Sequence, residues 1–406
     1  LRNLAVALAE HSDRSESFAL LHEALGYAQA LGDAAVEAEI VLATASTHIA
    51  GGNAAGALDA LRAIDHPAQL APALQRKYLK RLGAVYYFLS QFHQARRVLD
   101  QALAISTEGD EAAVASLRQN LIVTALQPLG DFERAEQQIK LYQQATQRQV
   151  AGRIWGLITA CWQYEATGDW AQLAAALSEV EELRRQSEEL EEEDAGILVL
   201  HLYLAIGQGC FAQAQTLLQQ LDAGESQNPD LRMYVEVCRV WLLRRMGRYA
   251  EAAAAAEGSL AQPWDSPYNR GMLAVEREAA RLQAQEPGVF DADIRRLIPL
   301  RARPWLLRLH VLLALRCHLL GDRRRLRHVR AVLRTSARYG YADILISREP
   351  DLGARFWTLC IEEGVGLEEA QTALRRLGRN GRLDGLLRHA APAVRVRAAQ
   401  TLGAIG

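Results

Sequence analysis

A turn that recurs about every 40 residues limits this chain to a repeated helical architecture. Each copy has a glycine or small polar residue, then an aromatic residue, then in most copies an alanine three positions later. The aromatic residues of the five clearest copies are Phe92, Phe132, Trp170, Phe211 and Tyr249. Glycine ends a helix readily because it adopts positive φ without a steric penalty. Each copy therefore predicts a helical hairpin, and neighbouring hairpins must stack because one hairpin cannot bury its apolar face alone.

The segments between these turns have the periodicity of helices. They predict a leading helix at 14–31 and the helix pairs 34–50/54–64, 74–89/93–105, 111–128/132–147, 150–167/171–186, 192–206/211–222, 230–246/250–260, 267–285/290–298 and 303–320/323–338. Residues 341–378 follow a different pattern, which predicts two short closing helices.

Residues 82–103 resemble a tetratricopeptide repeat, with Leu82, Gly83, Tyr86, Phe92, Ala95, Ala102 and Leu103 at its signature positions. The other copies keep the turn and the alanine at a longer period. Residues 383–406 resemble a HEAT-type repeat, with Pro392, Val394, Arg395, Ala398, Leu402 and Gly403 at its turn, core and helix-end positions. We expect an all-α, right-handed superhelical solenoid over residues 1–340, closing helices at 341–378 and a HEAT-like fragment at 379–406.

Composition and motifs exclude several classes of protein. The formal net charge is −2, which does not favour a polyanion binder. No apolar run reaches the roughly 20 residues of a membrane span. The five cysteines are scattered and never form a C-x-x-C pair, which favours core cysteines in a reducing cytoplasm. No catalytic or metal-binding motif appears, so we predict neither an enzyme nor a metal site.

The period, the turn chemistry and the closing stretch ARYGYADILISREPDLGARFWTLC resemble the effector-binding domain of MalT-type bacterial transcription activators of the STAND class. The resemblance covers roughly residues 14–378. It implies an effector sensor within a regulator whose ATP-binding module lies upstream and whose DNA-binding module lies elsewhere. It also implies contacts with other domains of that regulator and self-association on activation. No cofactor is implied within this chain itself.

The turn aromatics also set a register for the face that a solenoid turns inward. Residues eight before the aromatic, and those two helical turns earlier, share one face of the first helix of each hairpin. In the fifth hairpin the turn has two extra residues, and the corresponding position is His201. In the fourth to sixth hairpins this face becomes aromatic and polar, which is typical of a ligand pocket. The predicted ligand-binding residues are Trp155, Trp162, His201, Tyr234, Trp241, Arg244 and Arg245. The alternative is that these aromatic residues form the core between hairpins.

Two charged stretches have more than one interpretation. Residues 179–194 carry nine acidic residues and favour a solvated helix end over a metal site. Residues 295–338 carry thirteen arginines, and a phosphate or partner surface is predicted at Arg323, Arg324, Arg325, Arg327 and Arg330. This basic stretch fits phosphates, an acidic partner domain or a plain solvated face.

The sequence therefore predicts a binding module that senses a small-molecule or peptide effector, with DNA contacted only through another domain. The first alternative is a scaffold that grips a partner's peptide or domain in the same groove. The second is an enzyme accessory whose site is assembled from distant residues.

Overall fold

Helices form in the segments where the sequence predicts them. The computed structural model describes residues 14–106, 110–186, 195–224, 229–262, 266–288, 290–378 and 381–405, and no β-strand occurs in these ranges. Two compact units are present. Unit 1 comprises residues 1–159 and 265–267, and unit 2 comprises residues 160–264 and 268–406.

Unit 1 is built from short antiparallel helix pairs. Its helices are α1 (Arg14–Leu31), α2 (Ala34–Ala50), α3 (Ala54–Arg62), α4 (Pro72–Phe88), α5 (Phe92–Ala104), α6 (Glu111–Leu121), α7 (Gln127–Leu129) and α8 (Phe132–Thr146), with a π-helical turn at Ile122–Leu126 between α6 and α7. The pairs α2/α3, α4/α5 and α6/α8 form the predicted hairpins, and α4 packs on both α2 and α6. Helix α9 (Val150–Thr167) contains the division between the units.

Unit 2 continues the same pattern. Its helices are α10 (Trp170–Arg185), α11 (Ala195–Gln208), α12 (Phe211–Ala223), α13 (Pro229–Arg245), α14 (Tyr249–Leu260), α15 (Pro267–Gln283), α16 (Ala292–Leu300), α17 (Arg303–Leu319), α18 (Arg325–Tyr339), α19 (Ala342–Ser347), α20 (Pro350–Glu363), α21 (Leu367–Leu377), α22 (Gly381–Leu386) and α23 (Pro392–Ile405). The predicted all-α array of hairpins is therefore confirmed. The closing stretch 341–378 forms three helices, so the prediction of two was wrong.

The recurring turn has the backbone conformation that its sequence predicts. Gly130, Gly168 and Gly209 have φ of 68°, 76° and 80°, in the left-handed region that side chains disfavour. Ser90 takes the same place in the second hairpin with φ of 59°. The aspartates that follow behave differently from one turn to the next: Asp169 accepts a hydrogen bond from the amide of Gln172, as a helix cap does, whereas Asp131 makes no such bond.

Small residues let the paired helices approach closely. In the second hairpin, a Cβ added at Gly83 of α4 would lie 2.8 Å from Cγ of Leu99 on α5. Phe92 and Ala95 at the start of α5 are fully buried. The resemblance of this hairpin to a tetratricopeptide repeat therefore has a physical basis in helix–helix packing. In the described part of the chain, no helix is both long enough and apolar enough to cross a bilayer.

Candidate functional site

The seven predicted ligand-binding residues divide into three groups by burial. Trp155, in unit 1, is 48% exposed. The side chains of Trp162, His201, Tyr234 and Arg245, all in unit 2, are partly buried. Trp241 and Arg244 are 1% exposed. For these last two residues an open pocket wall was the wrong expectation, because the neighbouring helices of unit 2 enclose both side chains.

The aromatic residues of unit 2 form a continuous run of rings. The ring centroids of Trp162 and Tyr234 lie 5.0 Å apart, and those of Trp162 and Tyr203 lie 6.3 Å apart. The run continues from Tyr203 to Trp241 and from Trp241 to Trp170, at 5.9 Å in each case. Tilted and edge-on pairs at these distances are favourable arrangements of aromatic rings. Three of the predicted residues, Trp162, Tyr234 and Trp241, therefore belong to one run of rings, which Tyr203 and Trp170 complete.

Arg348, at the junction of α19 and α20, covers the buried end of this aromatic run. Its guanidinium carbon lies 5.8 Å from the ring centroid of Tyr203 and 5.7 Å from that of Trp241. Such positions allow cation–π attraction. Its Nη2 also lies 2.7 Å from Oε1 of Glu165 on α9. Arg348 of the same chain thus covers the ring of Trp241.

The next residue, Glu349, joins a buried network of charges. Its carboxylate accepts hydrogen bonds from Nη2 of Arg244 at 2.8 Å and from Nη2 of Arg308. Both arginines also contact Glu276 of α15. With Arg348 and Glu165, this makes three arginines and three glutamates, each less than 10% exposed. The network is therefore balanced in charge, which is the condition under which buried ions are tolerated.

The protonation of the network follows from its geometry. Burial alone would raise the pKa of Glu349, but the guanidinium groups of Arg244 and Arg308 outweigh it and lower this pKa to about 2. Burial dominates at Glu165, so its pKa is raised despite the nearby Arg348. We missed Arg348 and Glu349 as partners of the predicted site. The sequence signal was the adjacent pair Arg348-Glu349, which lies between the apolar residues of α19 and Pro350, the first residue of α20.

Five of the predicted residues remain candidates for ligand contact, because Trp155 is exposed and Trp162, His201, Tyr234 and Arg245 are partly buried. Nε2 of His201 lies 2.9 Å from Oε1 of Glu181 on α10. Glu181, in the described part of the acidic stretch 179–194, thus pairs with a residue of the neighbouring helix α11. Residues 187–194 of that run lie outside the described residues.

An open cavity of about 550 Å³ lies between the hairpins α11/α12 and α13/α14. Its apolar lining comes from Ala195, Leu198, Leu221, Leu231 and Val235, and its polar lining from Gln220, Asp222, Arg232, Glu236, Ser259 and Gln262. None of the seven predicted residues belongs to this lining. Leu221, Leu231 and Val235 nevertheless belong to the same apolar cluster as Trp162 and Tyr234.

The polar groups of the cavity differ in how they are paired. Asp222 and Glu236 both contact Arg239, at 2.6 Å and 3.4 Å, and the hydroxyl of Ser259 donates to Glu236. Arg232 is exposed and has no carboxylate within 4.0 Å in the part of the chain that the structure describes. The cavity therefore offers an apolar floor, fixed carboxylates and one available guanidinium group.

Two of the five predicted basic residues pair with carboxylates, and the other three are exposed. Arg324 pairs with Asp322 and Arg325 pairs with Glu363, so these two are used within the fold. Arg323, Arg327 and Arg330 are exposed.

One described cluster has the composition of a metal site. Ligand atoms of His318, Glu362 and Glu363 lie within 4.8 Å of one another. Glu363 pairs with Arg325, and Oε2 of Glu362 lies 3.7 Å from Nε2 of His318, so these groups already have partners within the fold. The absence of a metal site stays a prediction.

Comparison with known proteins adds little to this description. No family model matches the chain, and no curated protein does. Among solved structures it is similar to a tetratricopeptide repeat protein from Parabacteroides merdae ATCC 43184, with a TM-score of 0.40 and 16% sequence identity. The match covers 65% of this chain and 98% of that chain. At this TM-score the likeness has no weight for fold or function, and the helical array stands on the packing described above.

Proposed function

We propose that the chain is a non-catalytic binding module, the effector-sensing array of an ATP-dependent bacterial transcription regulator in the cytoplasm. The resemblance of its repeats and closing stretch to MalT-type activators supports this role. ATP binding and DNA binding belong, in this proposal, to other modules of the regulator. The effector is a small molecule or a short peptide.

The observation that carries the proposal is the cavity between hairpins α11/α12 and α13/α14. Its volume of about 550 Å³ lies in the range typical of small-molecule sites. It combines leucine and valine side chains with carboxylates that are held in place by Arg239. A ligand that fits this lining has an apolar body, a cationic group for Asp222 or Glu236, and an anionic group for Arg232.

The same chemistry suggests how binding is coupled to regulation. The cavity lies between two hairpins, so a ligand that favours one spacing of the hairpins shifts the array towards that form. A ligand shifts such an equilibrium only by its difference in affinity for the two forms. Trp162 and Tyr234 pack against the apolar cluster that floors the cavity, and we propose that their fluorescence reports the change.

A substitution that fills the cavity tests the proposal. A panel of zwitterionic tri- and tetrapeptides and amphipathic metabolites is screened by thermal shift, and compounds that raise the melting temperature are titrated by calorimetry. A ligand at 100 times its Kd stabilises the folded chain by about 2.7 kcal/mol. We expect Leu198→Trp to weaken binding at least tenfold, because the indole occupies the cavity.

The matched control is Leu319→Trp, which makes the same change at a leucine that is 45% exposed on α17. This variant should bind as the wild type does. Equal affinity in both variants would place the ligand elsewhere, and a panel without any stabilising compound would contradict the proposed effector class. The alternative function, a scaffold that binds a partner protein, is favoured by a different surface, the basic side of α18.

A further inference from the structure

Among the described residues, four arginines without acidic partners lie along one side of α18 and the turn before it. Arg327, Arg330 and Arg334 follow one another at spacings of three and four residues, which place them on one face of α18. Arg323 lies in the turn just before this helix and lines the same groove. All four are exposed. Within the described residues, no carboxylate lies within 4.0 Å of any of them. Their charges are therefore available to a partner, unlike those of Arg324 and Arg325.

These side chains line a shallow groove of about 590 Å³. The arginine groove, as we name it, is lined by Arg323, Leu326, Arg327, Arg330, Leu333 and Arg334. The two leucines are partly buried and stand seven residues apart, so they also share one face of the helix. The groove thus has a narrow apolar floor with a cation on each side.

Burial and, to a smaller extent, nearby charged groups lower the pKa of two histidines beside the groove. Burial, followed by the influence of His328, Arg327 and Arg334, lowers the pKa of His310 to about 4. Burial, followed by Arg327 and Arg324, lowers the pKa of His328. The two Nδ1 atoms lie 3.1 Å apart, which is compatible with one shared proton. The local field thus disfavours further positive charge, and it favours an anionic guest.

We propose that the arginine groove docks an acidic amphipathic helix of a partner protein. A helix with leucine-sized residues seven positions apart matches the spacing of Leu326 and Leu333. Glutamates or aspartates on either side of that stripe reach the four guanidinium groups. A nucleic-acid backbone would use the arginines but leave the apolar floor without a counterpart, and none of the described residues that line the groove is an aromatic residue for base stacking.

This inference does not depend on the effector cavity proposed above. The two surfaces share no lining residue, so either can fail while the other stands.

The test uses the full chain and a fluorescein-labelled 18-residue peptide with leucines seven positions apart, flanked by glutamates at helical spacings of three and four. Fluorescence anisotropy gives its Kd at low salt and at physiological salt. We expect Arg327→Ala/Arg330→Ala to raise the Kd about tenfold, because the double variant removes two of the four guanidinium groups that would pair with the glutamates of the peptide. Higher salt should also raise the Kd.

Arg324→Ala is the matched control, because Arg324 is equally exposed but already paired with Asp322. It should leave the Kd unchanged. Circular dichroism should report the same helix content for all three proteins, since every substituted side chain is exposed. Equal binding of a peptide with the same composition in scrambled order would overturn the proposed helix recognition. Tighter binding of a 20-base-pair duplex DNA than of the peptide would overturn the choice of partner.

Discussion

Replacement of one buried carboxylate tests whether the junction of α19 and α20 is held inside the array. Glu349 is 2% exposed and lies between Arg244 and Arg308. Glu349→Gln keeps the shape of the side chain but changes the charge of the six-residue network from balanced to +1. Removal of one partner from a buried ion pair typically destabilises a protein by about 3–5 kcal/mol, because the remaining charge is left uncompensated.

The pKa of Glu349 gives an independent magnitude. Its lowering from the ordinary value of 4.5 to about 2 corresponds to about 3 kcal/mol of stabilisation at neutral pH. A carboxyl group whose folded-state pKa is lowered stabilises the fold above its unfolded-state pKa, and this contribution is lost as the pH falls through about 2. The stability difference between the wild type and Glu349→Gln should therefore be constant from pH 7 to about 5 and shrink between pH 4.5 and 2. Glu165, whose pKa is raised, contributes to the pH dependence of stability with the opposite sign. Both proteins contain Glu165, so this contribution cancels in the difference between them.

The assay is urea unfolding followed by tryptophan fluorescence and circular dichroism at several pH values. Asp343→Asn is the control, because it makes the same chemical change in α19 at a side chain that is 60% exposed and paired with Arg376. Exposed ion pairs contribute about 0–1 kcal/mol, so this variant should unfold almost as the wild type does. If Glu349→Gln lost no more stability than Asp343→Asn, the buried network would not hold the junction, and the reasoning would be refuted.

Two further predictions concern the turns and the thiols. Gly168→Ala and Gly209→Ala should each lower the free energy of unfolding by about 1–2 kcal/mol, because both glycines have positive φ. Gly168→Ala should lower it by about 1–3 kcal/mol more in the same urea assay, because the added Cβ would lie 3.0 Å from the amide nitrogen of Arg348, whereas the space at Gly209 is open. Equal losses in the two variants would show that the junction of α19 and α20 does not reach the turn at Gly168. In native protein, an aromatic disulfide reagent should modify Cys210 quickly, because it is the exposed cysteine, while the four buried cysteines react only after unfolding. Rapid modification of Cys161, whose pKa burial raises to about 12, would contradict the packing of α9.

Several predictions from the sequence were confirmed because they depend on local interactions. The helix pairs follow from periodicity, and the turns follow from the freedom of glycine at positive φ, as at Gly130 and Gly168. The expectation that every cysteine is a core residue was wrong for Cys210, which immediately precedes α12 and is exposed. The helical period does not apply to a residue at the end of a turn, so the burial of such a residue cannot be inferred from the period.

The predicted ligand face stays a prediction, although two of its members, Trp241 and Arg244, are buried. Trp162, Tyr234 and Trp241 lie in one run of rings, in which Tyr203, a residue outside the predicted register, links Trp162 to Trp241. Their register does not reveal what lies above them. Arg348 covers Trp241, and it comes from a stretch that the helical period of the hairpins does not include.

The amino-acid sequence by itself determined most of the helical segments, to within a few residues at their ends, and which faces of them are apolar, since both depend on residues within a few positions of each other. Only the tertiary structure decided that Glu349 meets Arg244, 105 residues away, and that the indole of Trp170 donates to the carbonyl of Ser347, 177 residues away. In a sequence, a buried arginine and an exposed one are the same letter. Packing decides which of them is enclosed: it buries Arg244 between Glu276 and Glu349, whereas it leaves Arg327 exposed, with no carboxylate within 4.0 Å among the described residues.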